Sequence, residues 1–390
     1  MVVYAHYPLG ETRVQRQAEA LLAHGIAVDI ICLRASGEPD RENINGARVY
    51  RLPVAHLSNQ KILSIQLLKY LAFFALAMFK LIHLHRQRRF SVVQVHNLPD
   101  FLIFAAWYPR LRGARLILDL HDLMPEFYAS RTGRALNSRF VRFLMWQERL
   151  ACRFADHVLT VTGLWRRTLI ERGVPADKVT VVMNLADDRF FRRQAGCVRV
   201  KDPAQFKLIY HGSLVPRYGL DLLLEAVARL KDQIPGLRLT IHGNGRYRPK
   251  LIGLAQRLGV RERVNFSNDY LPMTGLPELL RQADLAVVPY RRDVFTDGIL
   301  PTKLLEYTAV GVPALVARTA ATAAYFDETM VEFFEAGNLD ELAEGILALS
   351  RDRARLEALV QGSSVFNRRH KWTRHSQTYV DLVKRLSTPE

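Results

Sequence analysis

Cysteine is scarce in this chain of 390 residues. Its three cysteines are far apart, with no CxxC pair among them: Cys32, Cys152 and Cys197. This spacing argues against a disulfide framework and against a thiolate metal site, and it favours a reducing compartment. The first residues, MVVYAHYPLGETR, turn polar at Glu11, so we expect no signal peptide. The most apolar run, Tyr70–Phe79, is shorter than the roughly 20 residues that a membrane-spanning helix needs.

Acidic residues are in deficit. The chain has 55 Lys and Arg against 38 Asp and Glu, which gives a formal net charge of +17. Residues 1–200 contain 29 basic and 16 acidic residues, so most of the excess lies in the first half. Such asymmetry suggests attraction to a polyanion, either nucleic acid or an anionic membrane surface. The hydrophobic content of 49% is typical of a globular protein, and the length suffices for two to three domains.

Strand and helix patterns alternate in two series. The run Val2–His6 predicts a strand, residues 11–23 predict a helix, and AVDIICL predicts the next strand, as in a parallel sheet. A second series begins at Lys207, after a stretch without periodicity. We therefore predict an α/β fold of two doubly wound, Rossmann-like domains facing each other across a cleft. The expected boundaries are a first domain at 1–190, a linker at 191–206, a second domain at 207–370 and a terminal helix at 371–390.

Small and polar residues cluster where the predicted strands end. Ligands of such sheets bind beyond the carboxyl ends of the strands, and these residue types allow close approach and hydrogen bonding to a polar ligand. An alternative for a strand-end histidine, such as His96 or His211, is a purely structural hydrogen bond to backbone. The candidates in the first half are His96, Asn97, His121 and Asp122, and those in the second half are Gly212, Ser213, Gly243 and Asn244.

The segment HGSLVPRYGLD joins a strand end to the start of a helix. Backbone N–H groups at such a helix start can hold a phosphate, and Arg217 would add positive charge. An ordinary βα turn with a surface arginine explains the segment equally well. The nearby HGNGRY contains only GxG, which is weak as a dinucleotide motif, and we expect a tight turn near a nucleobase.

The segment DGILPTKLLEYTAVGVPALV combines a lysine and a glutamate in the first turn of a predicted helix. Lys303 and Glu306 are three residues apart, so both can project from one side of the helix, with Thr302 as a plausible N-cap. Lys303 and the helix N-terminus suit a phosphate, and the carboxylate suits the vicinal hydroxyls of a ribose. The alternative is a surface salt bridge, but the position at a strand end favours a sugar-nucleotide site.

The order of these segments resembles a known family, the retaining GT-B glycosyltransferases of family 4, also called group 1. The similarity covers nearly the whole chain. The segments that carry it are PLGETRVQRQAEALLAHGIAVDII, VVQVHNLPDFL, LDLHDLMPEFY, HGSLVPRYGLDLLLEAVARL, LTIHGNGRYRPKLIGLAQRLGVRERVNF, LPELLRQADLAVVPY and LPTKLLEYTAVGVPALV.

The resemblance implies a nucleotide-sugar donor in the C-terminal domain, an acceptor in the N-terminal domain, and a terminal helix that crosses back to the first domain. The sugar would be transferred with retention of anomeric configuration. No cofactor and no dedicated metal are expected, and the sequence contains no DxD motif. By position, His121 matches the family histidine near the transferred sugar, Gly10 the loop glycine, Arg217 a phosphate-binding residue and Glu306 the ribose-binding glutamate.

The sequence departs from the family pattern at three positions. Gly298 stands where the family often has a glutamate, with Asp297 beside it as a substitute carboxylate. Tyr218 replaces a frequent lysine, and Ser213 replaces a frequent arginine. We therefore expect the donor diphosphate to depend on Arg217, Lys303 and backbone donors.

Residues 61–88 form one long helical pattern with an apolar centre and basic ends. Together with the basic first half, this pattern predicts a peripheral membrane contact at the cytoplasmic face and an acceptor on a lipid carrier. The alternative is a core helix with a solvated basic face. A GT-B-fold epimerase is the second enzyme hypothesis, but the strand ends have few carboxylates for proton abstraction. Nucleic acid is not expected as a partner, because the basic residues surround an apolar helix.

Overall fold

The computed structural model describes residues 1–8, 11–54, 63–193, 204–267, 271 and 274–388. Gly10 and most of the predicted linker lie outside these residues. The chain divides into two compact units. The first contains Met1–Asn184 and Thr373–Glu390, and the second contains Leu185–Trp372.

The first unit is built on an eight-stranded sheet. Its strand order is β3-β4-β2-β1-β5-β6-β7-β8, parallel except for the antiparallel pair of β3 and β4. The strands are β1 (Val2–His6), β2 (Asp29–Leu33), β3 (Arg41–Ile44), β4 (Ala47–Leu52), β5 (Val92–His96), β6 (Arg115–Leu120), β7 (His157–Thr160) and β8 (Val179–Val181). The helices are α1 (Thr12–Ala23), α2 (Leu63–Arg88), α3 (Trp107–Leu111), α4 (Met124–Thr132), α5 (Arg139–Phe154) and α6 (Gly163–Glu171).

Strands β2, β6 and β7 are buried nearly throughout, which explains their continuous apolar sequences. Helix α5 is amphipathic: Val141, Leu144 and Ala151 are buried. The Ser138 side chain accepts a hydrogen bond from the backbone N–H of Val141 and so caps the start of this helix.

Helix α2 has 26 residues and is therefore much longer than the ten-residue run considered above. By length and composition alone it is the one helix, among the described residues, that could cross a membrane. Core helices of soluble proteins and signal sequences meet the same criterion. Only 17% of its apolar window is buried, and Leu68 and Phe79 are about two-thirds exposed, at 65% and 64%. Among the described residues of this unit, nothing therefore covers its apolar outer face.

The terminal helix α14 (Trp372–Ser387) completes the first unit. Tyr379, Val380 and Val383 are buried on its inner face. The Tyr379 hydroxyl donates a hydrogen bond of 2.6 Å to Oε1 of Gln94 in β5. Both side chains are buried, so this bond lies in the interior beneath the central strand.

The second unit is built on a six-stranded, wholly parallel sheet. Its strands are β9 (Phe206–His211), β10 (Leu237–His242), β11 (Val264–Ser267), β12 (Leu285–Val288), β13 (Ala314–Arg318) and β14 (Glu332–Glu335). The helices are α7 (Leu220–Leu230), α8 (Arg248–Arg257), α9 (Leu276–Arg281), α10 (Thr302–Val310), α11 (Ala320–Tyr325), α12 (Leu339–Arg351) and α13 (Arg353–Arg369).

The strand order of the second sheet is β11-β10-β9-β12-β13-β14. Counted from β9, this is the 3-2-1-4-5-6 order of a Rossmann sheet, and the order reverses between β9 and β12. These two strands pair through Leu208 with Leu285 and Ile209 with Ala286. Ligands of this fold bind outside the carboxyl ends of the strands at that reversal, so the segments after β9 and β12 mark the expected position.

Several local predictions differ from the structure. The edge strands β3 and β14 were not expected, because Glu and Arg interrupt their short apolar patterns. Thr302 was expected to be the N-cap of α10, and this is wrong. The helix begins at Thr302, Pro301 is the N-cap, and no side chain caps the helix. Pro301 takes this place because its fixed φ and missing N–H suit a helix start.

Candidate functional site

Lys303 occupies an aromatic cage at the strand-order reversal of the second unit. Its ammonium nitrogen lies 4.7, 4.7 and 4.9 Å from the ring centroids of Tyr210, Tyr218 and Tyr290. It also donates a hydrogen bond of 2.8 Å to the Tyr290 hydroxyl. The rings of Tyr218 and Tyr290 stack at 4.3 Å, which fixes one wall of the cage. Such ring faces attract a cation, and the attraction increases when water is excluded.

Burial dominates the titration of this group. Desolvation lowers the pKa of Lys303 from 10.5 to about 7, and Glu306 opposes the shift. Desolvation likewise raises the pKa of Tyr210 and Tyr290 well above the usual value, so both phenols stay neutral. The cage therefore holds an amine that changes charge near neutral pH, and in the part of the chain that the structure describes its hydrogen bond goes to a neutral phenol.

The backbone at the ends of β9 and β10 leaves room for this amine. Gly212 has φ of +112°, and a Cβ there would lie 3.2 Å from Cε of Lys303. Gly243 has φ of +145°, and its Cβ would lie 2.1 Å from the carbonyl oxygen of Gly212. Both positions require glycine, because a side chain would collide with the backbone or with Lys303. The structure thus brings two of the predicted donor-site glycines together beside the lysine.

Glu306 contacts His211 and not Lys303, which would be its partner in a surface salt bridge. His211 Nε2 lies 2.5 Å from Oε2 of Glu306. The backbone N–H of His211 donates to the hydroxyl of Tyr307, at 2.9 Å. Lys303 and Glu306 therefore project from one helical turn, as the sequence predicted, but each contacts a different strand-end group.

The other predicted donor residues have their own contacts. Ser213 and Asn244 are exposed, and the Ser213 carbonyl accepts from the Tyr210 hydroxyl at 2.8 Å. The guanidinium of Arg217 lies 5.2 Å from the centroid of the Phe295 ring. Asp297 is engaged elsewhere: its Oδ1 accepts from the backbone N–H of Ala320 at 2.8 Å and pairs with Arg292 at 3.2 Å. This carboxylate therefore stabilises the start of α11.

In the first unit, Asn97 links the ends of β5 and β6. Its amide donates to Oδ1 of Asp100 at 3.0 Å and to the backbone oxygen of Asp122 at 2.5 Å. Its side-chain oxygen accepts from the backbone N–H of His121, at 3.2 Å. The predicted residues Asn97, His121 and Asp122 therefore meet at one edge of the sheet. Burial lowers the pKa of His121 and that of the neighbouring His96, so both imidazoles are held neutral.

A buried ion pair supports this edge. Arg13 of α1 donates to both carboxylate oxygens of Asp119, with its closest contact at 2.8 Å. Gln17 donates to Asp119 at 2.9 Å, and His96 Nδ1 lies 3.3 Å away. Burial alone would raise the pKa of the Asp119 carboxyl, but Arg13 and His96 hold it well below its usual range. This aspartate is therefore charged and fully paired.

The side chains of His96, Asp119 and His121 place their ligand atoms within 4.8 Å of one another. A metal ion could accept this spacing. However, Arg13 and Gln17 already donate to the Asp119 oxygens, and a cation there would face the guanidinium. The donors around Asp119 therefore suit a charge network and fit a metal poorly.

Sequence reasoning missed three features of these sites. It named Tyr218 only as a departure and did not bring it together with Tyr210, inside β9, and Tyr290, just after β12. For His211 it offered only a structural hydrogen bond to backbone as an alternative and did not connect this residue with Glu306. It also passed over Glu11, whose pKa is raised to about 7 by burial and by Asp122 and Asp119. Glu11 could have been found by its position in the sequence, because it directly follows Gly10, a predicted site residue.

Two family models match the chain in succession. Residues 10–184 match the glycosyl transferase 4-like domain, and residues 198–364 match the glycosyl transferases group 1. The chain belongs to the group 1 glycosyltransferases. Their two-domain GT-B fold agrees with the two Rossmann-like units described above, and the predicted enzyme class is confirmed.

Named relatives of this glycosyltransferase are transferases too. A putative colanic acid biosynthesis glycosyl transferase, WcaI of Escherichia coli K12, is 28% identical over 65% of this chain and 60% of its own length. A GDP-mannose-dependent α-(1-6)-phosphatidylinositol dimannoside mannosyltransferase of Mycobacterium tuberculosis H37Ra is 29% identical over 54% of this chain and 53% of its own length. The chain thus spans less than two thirds of these two relatives.

Solved structures match the fold over nearly the whole chain. Sucrose-phosphate synthase of Thermosynechococcus elongatus has a TM-score of 0.79 at 18% identity, covering 99% of this chain and 98% of that one. HepE of Anabaena, in complex with UDP, has a TM-score of 0.70 at 16% identity, covering 98% of both chains. At these identities the likeness establishes the fold only.

Proposed function

We propose that this glycosyltransferase binds a nucleoside-diphosphate sugar at the strand-order reversal of its second unit and transfers the sugar to an acceptor hydroxyl with retention. The observation that carries the proposal is the first turn of α10. It presents Lys303 and Glu306 at the position where a Rossmann sheet binds its ligand. A cation for the diphosphate and a carboxylate for the ribose thus come from one rigid turn.

Each donor residue has a chemical role in this proposal. Lys303 and Arg217 face the diphosphate, together with backbone donors around Gly212 and Ser213. Glu306 accepts from the ribose hydroxyls, and the Gly243–Asn244 turn lies near the base. Two comparisons support a nucleotide donor, because HepE of Anabaena binds UDP and the mycobacterial relative depends on GDP-mannose.

The leaving group explains why no metal is proposed. When the bond from the anomeric carbon to the diphosphate breaks, negative charge grows on the diphosphate. Lys303 becomes a full cation in this field, and the N-terminus of α10 adds its partial positive charge. The amine and the helix N-terminus are both held in place by packed structure before the substrate arrives, so little movement of these groups is needed.

The first unit would hold the acceptor. His121, His96, Asn97 and Asp122 meet at its sheet edge, and Gly10, which is outside the described residues, stays a prediction from the family resemblance. A neutral His121 can either donate or accept a hydrogen bond to a sugar hydroxyl. In the sequence, Asp297 is a candidate substitute for the glutamate that is missing at Gly298. We propose for it only a supporting role, because its carboxylate bonds the start of α11.

We propose a lipid-linked saccharide or polysaccharide precursor as the acceptor, reached from the cytoplasmic face of the membrane. Support comes from the uncovered apolar face of α2 and from the basic first half of the chain. WcaI is named for colanic acid biosynthesis, and the mycobacterial relative is named as a phosphatidylinositol dimannoside mannosyltransferase. The protein should float with anionic vesicles at low salt, and Phe79→Ser should weaken this binding. No difference between anionic vesicles and none would refute the membrane contact.

The epimerase alternative is not favoured. The relatives that match are named as transferases, and the carboxylates of the described donor site have other tasks. Glu306 is bound to His211, and Asp297 holds α11. In this proposal the remaining oxygen of Glu306 binds the ribose, so neither carboxylate is assigned to abstract a proton from a sugar carbon.

A thermal-shift screen tests the donor proposal. UDP, GDP, ADP and their sugars are each added to the wild type, to Glu306→Ala and to Glu278→Ala. Glu278 lies on the exposed side of α9, with its side chain 68% exposed, and serves as a matched control. We expect one nucleotide class to raise the melting temperature of the wild type and the control, and much less that of Glu306→Ala. Stabilisation by no nucleotide would refute the proposal.

A further inference from the structure

We infer that His211 is a positioning residue that fixes the carboxylate of Glu306 for the ribose and thereby sets the preference for ribonucleotides over 2′-deoxyribonucleotides. This inference rests on the proposed function, in which Glu306 binds the ribose hydroxyls. It adds a residue that the family resemblance did not assign to any role.

The contact is direct and its geometry is restrained. His211 is the last residue of β9, and its side chain is 8% exposed. Nε2 lies 2.5 Å from Oε2 of Glu306. The centroids of the imidazole and the Tyr307 ring are 4.9 Å apart, and the two ring planes meet at 80°. The backbone N–H of His211 donates a hydrogen bond to the Tyr307 hydroxyl. Strand, ring and helix thus leave the imidazole little freedom to turn.

The hydrogen-bond requirements of the two groups determine the tautomer. An ionised carboxylate only accepts, so the short contact requires a proton on Nε2 of His211. Nδ1 is buried and has no hydrogen-bond partner within the described part of the chain. The bond to Glu306 is therefore the polar interaction of this side chain. A purely structural histidine would be expected to satisfy its buried nitrogen with nearby backbone.

Glu306 keeps one oxygen for a ligand. Oε2 is occupied by His211, whereas Oε1 has no hydrogen bond to protein among the described residues, and the side chain is 20% exposed. A free glutamate on a helix samples several rotamers, and binding must immobilise it. Because His211 has already selected one rotamer, the second oxygen is aimed before the nucleotide arrives. The ribose 2′ and 3′ hydroxyls can then both donate to the same fixed carboxylate.

The test measures the ratio of dissociation constants for a 2′-deoxynucleoside diphosphate and its ribo form. The probes are UDP with 2′-deoxy-UDP and GDP with 2′-deoxy-GDP, and the full chain is titrated by calorimetry. A merely structural role would change both affinities together and would leave the ratio unchanged. A positioning role acts on the hydroxyl contact, so it changes the ratio itself.

Three substitutions separate the two nitrogens of the ring. His211→Phe keeps the ring and its packing on Tyr307 but removes the donor, and it should lower the ratio roughly tenfold, the scale of one hydrogen bond to a charged group. His211→Gln places an amide nitrogen near the position of Nε2 and should retain most of the preference. His211→Asn places it near Nδ1 and should lose the preference. His157→Gln, on a strand histidine of the first unit whose Nε2 also bonds a side chain, is the control and should keep the wild-type ratio.

The outcomes distinguish this inference from the proposed function. If Glu306→Ala loses the preference but His211→Phe and His211→Asn keep it, the positioning role is refuted and the ribose role of Glu306 stands. If Glu306→Ala itself keeps the preference, the ribose assignment fails, and with it the basis of the inference. Equal ratios in His211→Gln and His211→Asn would also overturn the inference, even if His211→Phe does not fold.

Discussion

The amine of Lys303 should take up a proton when a nucleoside diphosphate binds. Burial lowers its pKa to about 7, against the ordinary 10.5, so the free protein holds a largely neutral amine at pH 8. A shift of this size corresponds to a cost of about 5 kcal/mol for the ammonium form, at about 1.4 kcal/mol per pKa unit. The groups that surround it are Tyr210, Tyr218, Tyr290 and Glu306, and only Glu306 opposes the shift. A diphosphate adds the missing negative charge and should return the pKa towards 10.5.

The size of the uptake follows from these values. At pH 8 a group with a pKa of about 7 is about one-tenth protonated, so binding should take up about 0.9 proton per nucleotide. At pH 6 the same amine is already protonated, and uptake by it should be close to zero. The nucleotide does not mask the effect at pH 8, because a terminal phosphate with a pKa of about 6 is already ionised.

Calorimetric titration in two buffers with different ionisation heats measures the uptake directly. Lys303→Met keeps the length and apolar character of the side chain but removes the amine, and it should bind more weakly with no uptake at pH 8. Identical binding heats in the two buffers for the wild type would contradict the reasoning. Uptake that survives in Lys303→Met would assign the proton to another group.

The depressed pKa of Lys303 also predicts a stability trend without ligand. Between about pH 7 and 10.5 the unfolded chain binds the proton that the folded chain has lost. The contribution of this residue to the free energy of unfolding should therefore rise with pH in that window and stay flat below it. Urea unfolding of the wild type and of Lys303→Met, at pH 7 and at pH 9, compares the two slopes. A smaller slope in the wild type would contradict the expected sign.

Three further substitutions test the packing that supports the sites. Tyr379→Phe leaves the buried Gln94 oxygen without its donor and should lower the free energy of unfolding by about 1–3 kcal/mol, as measured in urea; an unchanged midpoint would contradict the role of that bond. Arg13→Met removes the cation that pairs with the buried Asp119 carboxylate and should lower the free energy of unfolding by about 3–5 kcal/mol, and Asp119→Asn in the same chain should recover part of it. Gly219→Ala places a Cβ 1.8 Å from a backbone carbonyl oxygen and should lower both stability and nucleotide affinity, whereas the exposed Gly337→Ala should lower stability alone.

The sequence was informative where one physical rule connects pattern and position. Parallel strands end at one edge of a sheet, so Gly212, Gly243 and the first turn of α10 could be expected to meet before any coordinates were known. The same rule grouped His96, Asn97 and His121 in the first unit. The family resemblance then supplied the chemistry of the ligand, which periodicity does not contain.

The contacts within the site could not be predicted, because they depend on distances across the fold. Tyr210, Tyr218 and Tyr290 come from three separate segments, and no spacing along the chain shows that their rings enclose one amine. His211 could equally have bonded backbone, and only the 2.5 Å contact with Glu306 decides the matter. Asp119 lies inside the apolar strand β6 rather than after its end. The rule that places ligands at strand ends therefore gave no sign of its buried ion pair with Arg13.

Hydrogen–deuterium exchange with and without the preferred nucleoside diphosphate tests the central claim most directly. The account predicts slower exchange in peptides that cover residues 211–219, 242–247 and 299–306, because these segments surround the reversal of strand order in the second unit. Peptides of α12 and α13 should be unaffected and provide the internal control. Protection confined to the first unit, or spread evenly over the chain, would contradict the assignment of the donor site.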